Sequence, residues 1–400
     1  MNDTIAQGQP FELTLPRPSP HPGLLVAAVA IALLTAYLGL VFSARQAALF
    51  LVGAAAGLVL YHAAFGFTSA WRVFISSGRG AGVRAQMLML AATCVIFFPL
   101  LAMGEFGGHP LRGFVSPVGI SVVVGAFMFG VGMQLGGGCA SGTLYTAGGG
   151  NTRMLVTLLF FITGSVIGTM HGPWWSTMPA FAPVSLVRTY GAPVALVLSL
   201  GLFAVIVALT IVIERRRHGS FERISGESPH GWLRGPWPLA AGALGLAIVN
   251  IATLVLAGRP WGVTSAFSLW GAKVLAAVGV PIHTWPGWST PAQKAALQAS
   301  VLADVTTVMD IGIVLGALAA AMLAGRFAPV WRIPRRSLIA AVVGGLLLGY
   351  GARIAYGCNI GAYFSGIASG SLHGWLWLVA AFAGNALGVR LRPMCGLSAN

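Results

Sequence analysis

Ten times along the chain an apolar run appears, most of them roughly 18–22 residues long, and runs of that length leave little structural choice. They cover 23–41, 47–64, 85–103, 118–135, 154–170, 194–213, 239–257, 302–324, 338–351 and 375–389. A helix of that size spans the hydrocarbon core of a bilayer, whereas the strands of a membrane barrel are about half as long. Only 8% of the 400 residues are charged and 57% are hydrophobic, while an ordinary soluble domain is about a quarter charged. The sequence therefore predicts an all-α polytopic membrane protein whose first partner is the lipid bilayer.

Glycine interrupts this pattern in an unusual way. Residues 136–151, GGGCASGTLYTAGGGN, hold seven glycines, one cysteine and no charge between two apolar runs. Non-helical backbone at membrane depth is tolerated only when protein surrounds it or it lines a cavity. Residues 356–371, YGCNIGAYFSGIASGS, read as the same device later in the chain. Four short glycine-rich pieces, 67–77, 139–149, 263–277 and 358–369, are expected to be re-entrant half-helices.

Short basic loops set the expected orientation, since Lys and Arg accumulate on the cytoplasmic side. Arg215, Arg216, Arg217, Arg223 and Arg234 mark one such loop, and Arg326, Arg332, Arg335 and Arg336 another. Arg72, Arg79 and Arg84 mark a third, and Arg390 with Arg392 places the C-terminus inside. The net charge of +15 is thus topological. No basic domain exists for a nucleic acid, which is excluded as a partner. The expected divisions are a polar N-terminal tail at 1–22, an extra first helix at 23–46 and a first repeat at 47–190. A linking helix and basic cytoplasmic loop follow at 191–236, then a second, inverted repeat at 237–392 and a tail at 393–400.

The repeat is read from residue matches at a separation of 219. Gly125, Gly130, Gly132, Gly138, Cys139 and Gly142 meet Gly344, Gly349, Gly351, Gly357, Cys358 and Gly361. One residue further on, Gly150, Gly164 and Gly168 meet Gly370, Gly384 and Gly388. Earlier, the Thr68-Ser69-Ala70 and Thr264-Ser265-Ala266 triplets correspond. The loop charges give the halves opposite orientations, so each contributes four spans and two half-helices to an inverted repeat. In transporters of that design, broken helices meet near the midplane and hold the substrate.

Gly138–Gly142 and Gly357–Gly361 would each open a half-helix with unsatisfied backbone N–H groups and the positive end of the helix dipole. Such an end suits an anion, and glycine lets backbone approach it closely. Cys139 and Cys358 then face the same pocket, where a neutral thiol is a weak donor matched to a soft acceptor such as a terminal sulfur. A lone buried cysteine is by default a small packing residue; a matched pair on matched breaks favours function. Gln134 and Arg353 also correspond, each five residues before its cysteine. Arg353 draws an anion inward, or else pairs with Asp304 or Asp310, which alternatively carry a coupling proton. Cys94 and Cys395 lack counterparts and are assigned to structure. Asn250 and Asn385 are expected to hydrogen-bond between helices. The cysteines and histidines lack metal-ligand spacing, so no cofactor or metal is expected.

These motifs resemble the YeeE/YedE family of bacterial inner-membrane sulfur-compound transporters. The resemblance rests on the doubled Gly-Cys-x-x-Gly breaks, the Phe129-Gly130-x-Gly132 approach and the run His62-Ala63-Ala64-Phe65-Gly66-Phe67-Thr68. Val263-Thr264-Ser265-Ala266-Phe267 and Trp270-Gly271-Ala272-Lys273 add to it. Length and the His62–Thr68 run look closest to the YedE branch. The resemblance implies a multi-pass protein of the bacterial inner membrane that takes up thiosulfate, with the cysteines of the two breaks, here Cys139 and Cys358, passing the ion along by hydrogen bonds to sulfur. The family's thiosulfate importers carry a third cysteine in the first half-helix motif, on the outer approach, where this chain has Ala64-Phe65-Gly66-Phe67. A selenium species or another sulfur oxyanion therefore stays open as the substrate.

The expected function is uptake of a small sulfur-containing anion, thiosulfate first, through a central pocket, without enzymatic chemistry. A passive anion channel is the first rival. A membrane enzyme handling persulfide on its cysteines is the second, and no acid–base constellation accompanies it. A soluble cytoplasmic sulfur-carrier protein docking on the basic loops stays open as a further partner.

Overall fold

A computed structural model describes residues 23–398, so the tail expected at 1–22 lies outside the described residues. The first helices are α1 (Leu24–Val41), α2 (Ala44–His62), α3 (Phe67–Ser77), α4 (Ala81–Met103), α5 (Ile120–Gly136), α6 (Ala140–Gly148) and α7 (Thr152–Ser176). Two more, α8 (Leu186–Tyr190) and α9 (Ala192–His218), lead to α10 (Leu239–Ala257), α11 (Thr264–Ala277), α12 (Pro291–Gln298), α13 (Val305–Leu323) and α14 (Arg335–Ile354). The chain ends through a π-helical turn at Asn359–Ser365, α15 (Gly366–Ala368) and α16 (Leu372–Leu391). Among the described residues, ten helical segments are long and apolar enough to cross a membrane, as expected.

Local chemistry sets the ends of these elements. Ser43 Oγ accepts the Gln46 amide at 3.1 Å, so α2 starts at Ala44 rather than at the expected Ala47. Asp304 Oδ2 accepts the Thr307 amide at 2.8 Å and starts α13. Gly137, at φ +90°, closes α5 in a left-handed conformation that a side chain would strain. The second break departs from the expected half-helix: seven of its residues form the wider π turn before α15 resumes the α-helix. The connection at 278–301, unassigned from sequence, holds two short 3-10 turns and α12, started by a Thr290–Gln293 capping box.

Close helix contacts are made through glycine. A Cβ on Gly130 of α5 would lie 2.1 Å from the Ala381 carbonyl oxygen of α16, and one on Gly349 of α14 would lie 2.1 Å from that of Phe161 on α7. Likewise a Cβ on Gly384 would meet the Phe127 carbonyl at 2.1 Å, and one on Gly164 the Leu346 carbonyl at 2.4 Å. Each contact in one set is the other shifted by 219 or 220 residues. Where α5 meets α14, Gly125 lies against Gly351 and Gly132 against Gly344, so these two helices run antiparallel. Element pairs also come in twos: α7 with α14 and α16 with α5, α2 with α13 and α10 with α4, α6 with α13 and α15 with α4.

Aromatic rings fill the centre. They form an unbroken chain of contacts from Phe67 and Trp71 through Tyr363, Trp377, Phe129 and Phe161 to Phe267 and Trp270, with successive centroids 4.9–6.3 Å apart. Tyr363 and Trp377 stack with only 9° between their planes. By contrast α1 and α9 are mostly exposed to the surroundings. At the last turn of α9, Glu214 pairs with Arg84 at 2.7 Å and accepts the amides of Gly80 and Glu222, tying the basic loop to α4.

Candidate functional site

Both glycine-cysteine breaks begin a short helix, and in both the cysteine stands at its N-terminal boundary, with the Cys139 side chain alone capping the helix. Cys139 Sγ accepts the Gly142 amide at 3.4 Å and lies 3.5 Å from Ser141 Oγ, while its carbonyl accepts the Thr143 amide at 2.8 Å. In the second break Cys358 Sγ makes no capping hydrogen bond. The Cys358 carbonyl takes the amides of Ala362 at 2.8 Å and Tyr363 at 3.4 Å, which widens the turn to π geometry. Cys139 Sγ thus stands where a serine or threonine oxygen commonly stands at a helix start. Both thiols are buried, α6 touches the π turn, and the two sulfurs lie within electrostatic range of each other.

A cavity of about 660 Å³ reaches the second break. Its wall includes Gly357 and Gly361, then Arg353 and Tyr356, and on the opposite side Arg259 and Ser265. Gly357 sits at φ +146°, and a Cβ on Gly361 would meet nothing within 4 Å, so free space adjoins the backbone beside Cys358. Arg353 is exposed to this cavity and forms no ion pair with Asp304 or Asp310 among the described residues. The ion pair with Asp304 or Asp310 weighed from sequence is therefore not formed among the described residues, and Arg353 is part of the cavity wall. Arg259 is half-buried, and its Nη2 donates to Thr306 Oγ1 at 3.0 Å. Burial lowers its pKa and Asp304 works in the opposite direction; a guanidinium stays cationic under both influences.

The other expected site residues divide unevenly. Gly138, Cys139 and Gly142 sit at the buried first break, outside the wall of the large cavity. Gln134 is fully buried, and its Nε2 donates to the Thr68 carbonyl at 3.2 Å and to Asn385 Oδ1 at 2.6 Å. That places Gln134 between α5, α3 and α16 as an interhelical link, unlike its sequence counterpart Arg353. Asn250 and Asn385 bond between elements as expected: Asn250 Nδ2 donates to Ser365 Oγ at 3.1 Å and Asn250 Oδ1 accepts the Trp261 amide at 2.9 Å. The segment at 64–67 lines a second, smaller cavity together with Arg79 and Glu222.

Sequence reasoning missed two residues. Asn359, directly after Cys358, is fully buried with both amide atoms lacking a hydrogen-bond partner among the described residues. Its signal was an amide where the first break has Ala140. Arg259 was passed over as a lone loop arginine; its signal was a cation at the end of an apolar run that the loop charges place outside.

With this geometry in view, comparisons with known proteins become informative. The family model described as sulphur transport matches residues 62–387. The chain is 32% identical over 163 residues to the probable transporter YedE of Escherichia coli (strain K12), covering 40% of this chain and spanning about two fifths (39%) of that protein's length. It is 29% identical over 351 residues to the thiosulfate transporter TsuA of Spirochaeta thermophila, covering 84% of this chain and 95% of that one. The TsuA of Escherichia coli (strain K12) is 25% identical over 357 residues, covering 83% and 90%.

Proposed function

The chain belongs to the sulphur-transport family, and from that premise we propose that it carries a small sulfur-containing anion, thiosulfate first, into the cell across the bacterial inner membrane. The observation that carries this reading is the pair of buried thiols at the helix starts of two touching breaks, the second break bordering a cavity walled by two arginines. Arg353 and Arg259 raise the local anion concentration in the cavity. The anion then meets Gly357 and Gly361, where no side chain intervenes, and the Cys358 thiol beyond them. Its oxygens are met by the amide of Asn359. It passes to Cys139 across the contact between the π turn and α6 and leaves toward the basic side.

Cysteine suits this task because of how its sulfur is already engaged. Cys139 Sγ accepts the Gly142 amide, which leaves its S–H proton to donate elsewhere and strengthens that donation, while Cys358 Sγ makes no capping bond and keeps its S–H for the anion. A neutral thiol hydrogen-bonds a soft sulfur weakly enough to let it move on. Passage through such a site needs binding that is favourable yet loose. At the first break the backbone amide therefore acts through the thiol, a sharper role than direct contact with the anion.

The two breaks are the matched halves of an inverted repeat in this reading. Support comes from helix contacts that recur at 219 or 220 residues and from the antiparallel course of the matched α5 and α14. α3, α6, α11 and the π turn with α15 are its four re-entrant elements, with repeats at 47–190 and 237–392. Uptake of labelled thiosulfate by cells lacking other importers tests the function. Cys139→Ala and Cys358→Ala are each expected to abolish uptake while the protein still reaches the membrane; wild-type uptake by both variants would falsify the relay.

A further inference from the structure

A buried carboxyl on α13 has no role in the relay. Asp310 is fully buried, and neither carboxylate oxygen has a hydrogen-bond partner or ion pair among the described residues. An acid inside a membrane is costly and is kept where it works. A carboxylate stripped of water and partners needs a positive counterpart, and the surrounding protein supplies none in contact.

The position of Asp310 on its helix shows what it adjoins. Met309, Gly312, Ile313 and Gly316 press against α2 through the close approaches of Gly53, Gly57, Phe50 and Ala54. Thr306, Asp310 and Val314, four residues apart, form a neighbouring stripe. At one end, Thr306 Oγ1 accepts from Arg259 Nη2 and bonds Ser265 Oγ at 3.0 Å, and both of these residues wall the large cavity. At the other end, Val314 lies against Gly148 of α6, the helix that Cys139 caps. Asp310 is therefore one turn from the residue that bonds the cavity wall and one turn from the residue that packs on the last turn of α6, at the end opposite Cys139.

Few ionisable groups act on it. Asp304 and Arg259 are its electrostatic neighbours, and the Cys358 thiol is within its range. From the packed elements, α6 brings Cys139 and Tyr145, α1 has only Tyr37, and α2 has Arg45 and His62 near its two ends with Tyr61 beside the latter. Lys273 of α11 is occupied by the carbonyls of Leu297 and Ala299, at 2.6 Å each. The sixth residue of α4, the matching helix, is Gln86, as Asp310 is the sixth of α13. Gln86 is also buried, with its Nε2 unpartnered and its Oε1 accepting from Trp71 and Tyr363. An amide there cannot carry a proton, so only one half of the molecule has an ionisable group at this place.

We propose that Asp310 is a proton-binding coupling site, taking up a proton on the cavity side as the anion enters and releasing it on the far side, so that anion uptake carries protons inward. The inference rests on the anion-transport reading. The test uses the full chain in vesicles holding a pH-sensitive dye, with the membrane potential clamped by potassium and valinomycin and labelled thiosulfate added outside. Wild type is expected to acidify the lumen in step with label entry, and an acid exterior to speed that entry. Asp310→Asn is expected to admit label down its gradient with the acidification lost and the response to external acid gone, whereas Asp310→Glu keeps both. Label entry by wild type without acidification overturns the coupling and leaves the anion reading intact, whatever the fate of the variants. Absence of label entry in wild type overturns the anion reading and the coupling with it.

Discussion

At the scale of single residues, the two cysteines are alike in standing at a helix start and unlike in surroundings. Cys139 has Ser141 Oγ beside it, whereas Cys358 is followed by an amide with nothing to bond. A buried amide left free costs about 1–3 kcal/mol, and an arriving oxyanion removes that cost. Asn359→Ala is therefore expected to weaken anion binding by roughly 10–100-fold, the equivalent of one hydrogen bond to a charged group. The loss should appear in the concentration dependence of uptake, with the amount of protein in the membrane unchanged. An unchanged half-saturation concentration would remove Asn359 from the site. The cysteines and the glycines around them were legible in the sequence because a match at 219 residues is independent of fold. Asn359 and Arg259 were not, since an unpartnered amide and an arginine in a cavity wall are defined only by what surrounds them. Gln134 shows the converse: its correspondence to Arg353 is real in sequence, yet its amide is consumed by Thr68 and Asn385.

At the scale of elements, glycine serves contact more often than conformation. Backbone-to-backbone approach at Gly130 and Gly349 leaves no room for a methyl group, and overpacking of this kind costs about 1–3 kcal/mol. Gly130→Ala and Gly349→Ala are each expected to lower the thermal midpoint of the detergent-solubilised protein. Gly201→Ala, on exposed α9 with nothing within 4 Å, should leave it unchanged or raise it. Equal midpoints for all three would mean that these helices are not held by close approach. The apolar runs foretold the long helices to within a few residues, and α3 at Phe67–Ser77 matched its expected limits. Hydropathy could not foretell the π turn, which arises because the Cys358 carbonyl accepts two amides. Nor could it reveal α12 and the turns before it, whose polar sequence follows capping chemistry.

At the scale of the whole molecule, the large cavity borders the second break, and the smaller one lies beside Arg79 and Glu222 with no residue of its wall in common. If the basic loops face the cytoplasm, Ser176 in the large cavity's wall is periplasmic and Arg79 is not. A membrane-impermeant thiol reagent added to intact cells is expected to label Ser176→Cys, with thiosulfate slowing the reaction. Arg79→Cys should react only after the membrane is opened. Labelling of Arg79→Cys alone in intact cells would reverse the orientation.

The ring chain from Phe67 to Trp270 has a consequence for the membrane as an electrical insulator. It crosses the middle of the molecule and joins the short helices of both halves without a gap wider than ring contact. Packed aromatic surface of this kind gives water no continuous file to follow, and without a water file neither small ions nor free protons conduct. If the thiols pass the cargo as proposed, charge crosses only with it, and a cell carrying many copies keeps its voltage.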